Sequence, residues 1–485
     1  MLPAKIETMN KFYITTAIPY VNAKPHIGHA LEFVQSDTVA RQHKLKKEEV
    51  LLLSGGDENA LKNVQEAEKE KTPIQDFVDK NSQLFLDLSK KLNVEFDVFQ
   101  KGSDTKHHKS SQELWKRCFE SGDIYKKTYT GLYCVGCELF YEKNELNEKG
   151  ECYEHPGKRL EEVSEENWFF RLSKYEKDLK RIINDKNDPE YIEIVPEKRK
   201  HEVQSFLESG LKDISISRSN ARAKKWGVQV PDDPDQKIYV WFDALNIYQS
   251  GIGFNYDSEK YKKWWPADLH VIGKGILRFH AIYWPAFLLS AKLELPKSIF
   301  VHGYFTVNGQ KMSKSLGNVI DPVEMINKYG ADALRYYLLK EIPSTGDGDF
   351  SEERLKTVYN ADLANGLGNL VARVAKMAEQ IGLEVKTEEK ERSPEVDSAT
   401  ELFEFDKALK LIWQKIKEAN MLINEKEVWK LEKEEKSKIL TSLIRIIGQI
   451  AANLEPFLPE TSRKIGEQFK GPKIKTGEPL FPRIN

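Results

Sequence analysis

Residues 12–33 read FYITTAIPYVNAKPHIGHALEF. FYITTAIP is β-branched and aromatic, which suits a buried strand. YVNAKP is a proline-closed loop. From His26 to about Lys44, Ile27, Ala30, Leu31, Val34 and Thr38 recur at helical spacing, while Glu32, Gln35 and Arg41 fall elsewhere. A second apolar run, VLLLSGG at 50–56, follows directly. Strand, loop, helix, strand is the opening of a parallel α/β sheet, whose ligands sit at the carboxyl ends of its strands. Within this stretch His26 and His29 flank Gly28 on one helix face. A metal, an anion or simple packing would each account for that pair.

The pattern breaks from about residue 114 to 225, in a segment rich in Glu, Lys and aromatics, and then resumes. KIYVWFDAL (237–245), DLHVIGKGI (268–276) and SIFVHGYFTV (298–307) each read as a strand followed by a turn. The sheet is therefore expected in two halves, 1–113 and 226–320, split by an insertion at 114–225. In NVIDPVEMINKYG (318–330), Asp321 is an N-cap, Pro322 a first-turn proline, Glu324 a capping acid and Gly330 a stop. That helix belongs to a linking segment, 321–350. Beyond Ser351 the periodicity is helical throughout, as in LANGLGNLVARVAKMAEQI (363–381) and ILTSLIRIIGQIAANL (439–454), so 351–485 reads as a helical bundle. KTEEKERSPE (386–395) reads as a solvated linker and KLEKEEKSK (430–438) as a solvated helix face.

Bulk numbers agree with several domains. A chain of 485 residues accommodates about two to four domains of roughly 100–200 residues each. Hydrophobic residues at 40% and charged residues at 31% describe a protein with packed cores, and no apolar run reaches the length of a membrane span. The start, MLPAKIETMNKFYITT, lacks a signal-peptide pattern, which implies a cytoplasmic protein. Net charge is −2, from 74 basic and 76 acidic residues, so no global charge announces a nucleic-acid partner.

Four cysteines are present, of which Cys118 stands alone while Cys134, Cys137 and Cys152 cluster. Cys134-Val-Gly-Cys137 and Cys152-Tyr-Glu-His155 form two short pairs. Three thiolates and an imidazole make a closed tetrahedral site, which implies a structural Zn2+ holding the insertion together. The metal chemistry thus has an address away from His26 and His29, whose spacing also differs from the HExxH helix.

Residues 303–318 read GYFTVNGQKMSKSLGN, a cationic loop with Lys311 and Lys314 three apart. HIGH at 26–29 and KMSKS at 311–315, in that order and flanking an insertion, resemble the two signatures of class I aminoacyl-tRNA synthetases. TTAIPYVNAKPHIGH, YVWFDAL, VIGKGILRFHAIYWPA and FVHGYFTVNGQKMSKS are similar to the methionyl-tRNA synthetase family in particular, over essentially the whole chain from Phe12.

The resemblance implies a Rossmann-type parallel sheet split by a zinc-bearing insertion and followed by an α-helical anticodon-binding bundle. It implies that methionine is activated with ATP and Mg2+ and then transferred to tRNA(Met). His26, His29, Lys311 and Lys314 are the expected catalytic residues, and Gly28, Lys274 and Ser313 join them around ATP. Asp57 is expected to pair with the methionine ammonium. Ile18, Tyr20, Trp241, Ala244, Leu245, Tyr248, Ile276 and His280 are expected to line the side-chain pocket, and Asn369, Arg373 and Trp429 to read the anticodon. RSNARAKKW (218–226) is a candidate phosphate-contacting stretch.

Departures from the family pattern are visible. Asn59 stands where Asp-Glu-His-Gly has its histidine, Gly275 where Gly-Lys-Asp-Ile has its acid, Leu245 where a proline commonly follows WFDA, and Val428 where a proline commonly precedes the tryptophan. The chain ends at LFPRIN without an OB-fold module, so a monomer, or a chain assisted by a separate tRNA-binding subunit, is expected. A non-catalytic RNA-binding paralogue and a class I relative acting on leucine or cysteine are the alternatives.

Overall fold

The computed structural model describes residues 10–134, 139–141, 145–153, 157–312, 317–385 and 391–484. The chain divides into two compact units, Met1–Lys24, Glu48–Asp87 and Phe96–His302 forming the first, and Pro25–Lys47, Leu88–Glu95 and Gly303–Asn485 the second.

The first unit is built on strands β1 (Lys11–Thr15), β2 (Glu49–Gly56), β3 (Val98–Lys101), β4 (Glu193–Val195), β5 (Leu269–Gly273) and β6 (Ser298–His302). Their order is β3-β2-β1-β5-β6-β4 and every pairing is parallel, with Tyr13 opposite Leu51, Ile14 opposite Leu269 and Val271 opposite Phe300. Tyr13, Ile14, Leu53, Val271 and Ile299 are fully buried, as strands covered on both faces require. The interrupting segment does not stay apart, because β4, from its middle, returns to the sheet edge beside β6. The rest of that segment includes a long antiparallel pair, Ile124–Cys134 against Glu161–Phe170, in register from Ile124–Phe170 to Tyr133–Glu161. Leu139–Tyr141 flanks its first strand and Ile214–Ser215 its second.

KIYVWFDAL departs from the expected strand. Only Gln236–Ile238 is extended, and Val240–Leu245 is a short helix. All six of its residues are buried, so no apolar/polar alternation existed to separate the two readings.

In the second unit the helix Ile27–Leu45 starts where expected, yet Glu32 and Gln35 are as buried as its apolar residues. Asp321 caps Pro322–Tyr329, its Oδ1 accepting the Val323 N–H at 2.8 Å, and Gly330 ends that helix at φ +90°. SIFVHGYFTV makes two strands, β6 and Phe305–Val307, the latter joined by Gln310–Lys311 and Gly348–Phe350 in a small sheet. Helix Ala331–Lys340 lies in the expected linking segment, and helices Asn369–Gln380, Phe405–Glu425, Lys433–Leu454 and Pro459–Gln468 follow beyond Ser351. KLEKEEKSK opens Lys433–Leu454, and residues 386–390 of the expected linker lie outside the described residues.

Helical periodicity does not persist to the end. Beyond Phe469 the prolines and glycines of KGPKIKTGEPLFPRI stop it. That tail is fixed by Tyr359 Oη donating to Pro482 O at 2.9 Å and by Asn360, which donates to Ile484 O at 2.9 Å and accepts its N–H at 3.0 Å.

Arg335, fully buried in Ala331–Lys340, ties distant parts of this unit together. It pairs with Asp37 at 2.7 Å and donates to Leu92 O at 3.1 Å, Pro456 O at 2.8 Å and Phe457 O at 2.7 Å. Asp37 also holds Arg41 at 2.8 Å.

Candidate active site

Within the first unit, the expected pocket residues gather at the carboxyl ends of the central strands. Ile18 and Tyr20 follow β1, Asp57 follows β2, and Lys274 and Ile276 lie in a tight turn directly after β5. The Asp57 N–H donates to Pro19 O at 2.9 Å, and Tyr20 and Asp57 form a parallel bridge. The Tyr20 ring meets Trp241 edge-on at 6.2 Å. Trp241 in turn lies flat on Phe279, centroids 3.6 Å apart and planes 4° off parallel. The Trp241 indole N–H is buried without a hydrogen-bond partner among the described residues. Ala244 and Leu245 are buried on the same short helix.

Tyr248 and His280 form the polar part of this wall. Tyr248 Oη meets His280 Nε2 at 2.7 Å, and His280 Nδ1 meets Ile276 O at 3.0 Å. Since Nδ1 faces a carbonyl it carries the proton, so Nε2 accepts from the phenol. Burial pushes the imidazole down to about 4, and it is neutral at physiological pH. Flat aromatic walls and neutral polar groups thus lie together beyond the strand ends.

Sequence reading missed two features. Phe279 lies beside His280 in the same quoted block, LRFHAIYW, and only its stacking on Trp241 distinguishes it from a core residue. The other is the surroundings of Asp243. Its Oδ2 accepts from Asn59 Nδ2 at 2.6 Å, and its Oδ1 from His107 Nε2 and Ser111 Oγ, both at 2.8 Å.

The HIGH segment lies in the second unit. His26 is the N-cap of Ile27–Leu45, its Nδ1 accepting the Gly28 N–H at 3.1 Å, while His29 Nδ1 accepts the His26 N–H at 3.1 Å. Both Nδ1 atoms being acceptors, each neutral ring carries its proton on Nε2. Burial lowers His26 to about 4. A Cβ on residue 28 would come within 3.0 Å of the His26 ring, so Gly28 makes room for the folded-back imidazole. Of the KMSKS loop, Lys311 belongs by its backbone to Gln310–Lys311, and Ser313 and Lys314 lie outside the described residues.

Cys134 and Cys152 are buried thiols with Sγ atoms 3.3 Å apart, too far for a disulfide. Cys137 and His155 lie outside the described residues, among which no group of three or more His, Cys, Asp or Glu is arranged for a metal.

In the bundle, the Arg373 guanidinium lies 5.7 Å from the centre of the Trp429 ring and donates to Asn424 Oδ1 at 2.8 Å. Trp429 is 47% exposed, and Asn369 is exposed at the start of Asn369–Gln380. The basic stretch 218–226 is largely neutralised: Arg222 pairs with Glu161 and Glu165, Lys224 with Glu68, and Arg218 packs over Tyr239. No helix among the described residues is long and apolar enough to cross a membrane.

Comparison with known proteins adds the following. Residues 12–375 match the family described as tRNA synthetases class I (M). A methionine–tRNA ligase of Rhizobium meliloti is 40% identical, the match covering 97% of this chain and 98% of that protein. Mycobacterium tuberculosis methionyl-tRNA synthetase in complex with methionyl-adenylate is similar with a TM-score of 0.88 and 37% identity, covering 98% of this chain and all of that one. Its apo form gives a TM-score of 0.81 and 35% identity, over 98% of this chain and 99% of that one.

Proposed function

The chain belongs to the class I methionyl-tRNA synthetase family, and from that premise we propose how its own residues divide the work. The protein is a methionine–tRNA ligase. It activates L-methionine with ATP to methionyl-adenylate and transfers the methionyl group to tRNA(Met), in translation.

In the first step a methionine carboxylate oxygen attacks the α-phosphorus and the bond to the β-phosphate oxygen breaks, releasing diphosphate. Charge builds on the α-phosphate oxygens, and such transfer is catalysed chiefly by positioning and electrostatics. His26 and His29 would donate from Nε2, at the positive end of their helix, to that developing charge. Lys311 and Lys314, with Ser313, would meet the leaving phosphates, and Lys274 the nucleotide. ATP would enter with Mg2+, which would neutralise part of the phosphate charge. In the second step a terminal ribose hydroxyl of the tRNA attacks the carbonyl carbon, the bond to AMP breaks, and the hydroxyl proton is lost.

Asp57 would take the methionine ammonium. Ile18, Tyr20, Trp241, Ala244, Leu245, Tyr248, Ile276 and His280 would enclose the side chain, with Phe279 backing Trp241. The observation that carries this assignment is the run of contacts Asp57–Tyr20–Trp241–Phe279 at the strand ends. Exposed Asn369 and Trp429, with the half-buried Arg373, would stack on and hydrogen-bond to anticodon bases. Cys134, Cys137, Cys152 and His155 would hold a structural Zn2+, for which the paired thiols of Cys134 and Cys152 are the support. The protein would act in the cytoplasm, as a monomer or with a separate tRNA-binding subunit.

Methionine-dependent exchange of pyrophosphate into ATP, compared across all twenty amino acids, tests this reading. Exchange fastest with methionine is expected, and exchange with another amino acid alone would overturn it.

A further inference from the structure

We propose that the hydrogen bond between Asn59 and Asp243 fixes the spacing between the two ends of the methionine pocket, making these two residues positioning residues for amino acid selection. The proposal rests on the assignment of Asp57 and of the helix Val240–Leu245 to that pocket.

Asp243 is the single charged residue of VWFDAL and is 2% exposed. A buried carboxylate persists only when its oxygens are matched by donors. Here the donors come from two separate segments: Asn59 from the loop after β2, and His107 and Ser111 from the helix Thr105–Glu120. Burial opposes the charge, yet His107 and the Asn59 amide outweigh it and hold the carboxyl below its ordinary range. The orientation of Asn59 is fixed chemically. Its nitrogen faces Gly102 O at 2.7 Å and Asp243 Oδ2 at 2.6 Å, two acceptors, so both amide protons are used.

Position along the chain turns this bond into a gauge. Asn59 lies two residues after Asp57, the acceptor for the amino group. Asp243 lies two residues after Trp241 and directly before Ala244 and Leu245, the walls for the side chain. The loop itself cannot drift. Glu58 accepts from Ser82 Oγ at 2.5 Å and from the Ser103 N–H and Oγ at 3.0 and 2.5 Å, and Glu58 O accepts from Trp226 Nε1 at 2.7 Å. With the amino-group end anchored, the bond from Asn59 is what ties the side-chain end to it, since His107 and Ser111 hold Asp243 to the helix Thr105–Glu120 instead. A missing donor lets the VWFDAL helix shift along the length of the amino acid, while nucleotide contacts stay as they are. Asn59 thus has a donor role of its own toward Asp243, and its presence does not mark an inactive chain.

The experiment is pyrophosphate exchange by the full-length protein, with KM measured separately for methionine and ATP. The unaltered protein is scored first; absence of methionine-dependent exchange would overturn the pocket assignment and this proposal with it. In Asn59→Ala, KM for methionine is expected to rise roughly tenfold, as loss of a buried bond to a charged acceptor implies, with KM for ATP within about twofold. Discrimination of methionine against ethionine, one methylene longer, is expected to fall. Asn59→His, which keeps a donor, is expected to stay near the unaltered values. Asp243→Asn, of equal size, is measured in parallel and carries the same expected split should Asn59→Ala not fold. A parallel rise in both KM values, or an unmoved KM for methionine, in a protein that exchanges normally before substitution, overturns the proposal alone.

Discussion

The imidazoles of His26 and His29 lie face to face, centroids 3.9 Å apart, each with Nδ1 committed to a backbone N–H of its own helix start. The motif therefore caps its helix with one edge of each ring and presents two Nε2–H donors with the other. Capping and catalysis can be separated by substitution. Asparagine caps helices well but cannot reach where Nε2 reaches. His26→Asn is expected to keep its melting temperature at pH 7.5 while adenylate formation slows by roughly 10²-fold, the usual effect of losing one oxyanion donor. Rapid-quench measurement of methionyl-adenylate checks it; an unchanged rate would remove the donor role.

Burial lowers His26 from its ordinary 6.5 to about 4. The unfolded chain then binds a proton between those values that the folded chain does not, so stability attributable to His26 is full above 6.5 and is lost as pH falls towards 4. Melting temperatures of the unaltered protein should decline over this window more steeply than those of His26→Asn. Identical slopes would contradict the lowered value.

Arg335 holds a carboxylate and three main-chain carbonyls in a fully buried setting. Arg335→Met should cost about 3 kcal/mol, the lower end for breaking a buried pair because Arg41 still attends Asp37. Denaturant unfolding measures this, and recovery is expected in the triple variant that adds Asp37→Leu and Arg41→Leu to Arg335→Met. A loss below about 1 kcal/mol would place Arg335 among surface-like ion pairs.

Trp429 is exposed and backed by Arg373. Trp429→Ala is expected to lower kcat/KM for tRNA aminoacylation by roughly tenfold or more, since stacking on one base is worth about 1–3 kcal/mol. Pyrophosphate exchange without tRNA should not change. Equal losses in both assays would assign the tryptophan to the fold.

Cys134→Ser and Cys152→Ser should each lower zinc content, measured by elemental analysis of the purified protein, and lower the melting temperature. Metal content equal to that of the unaltered protein would take these thiols out of the proposed site.

Much of this was legible from local patterns. β1, β2, β5 and β6 announced themselves as apolar runs, and Asp321, Pro322 and Gly330 bounded their helix by cap chemistry alone. What escaped depended on partners far along the chain or on burial that erases period. The bond from His107 to Asp243 spans 136 positions, and nothing near either residue signals it. VWFDAL was misread because a segment buried on every side has no polar face to set its period. β4 escaped because three residues, Glu193–Val195, are too few to show alternation.

The helix that follows HIGH bears on how this sequence can change. Every residue from Ala30 to Ala40 is buried, the polar Glu32, Gln35, Ser36, Asp37 and Thr38 among them. A surface helix offers a permissive side on which charge can be gained or size altered at little cost. Three turns without such a side leave no neutral position, so in a saturation library this span should tolerate fewer replacements than helices whose apolar residues mark them as core.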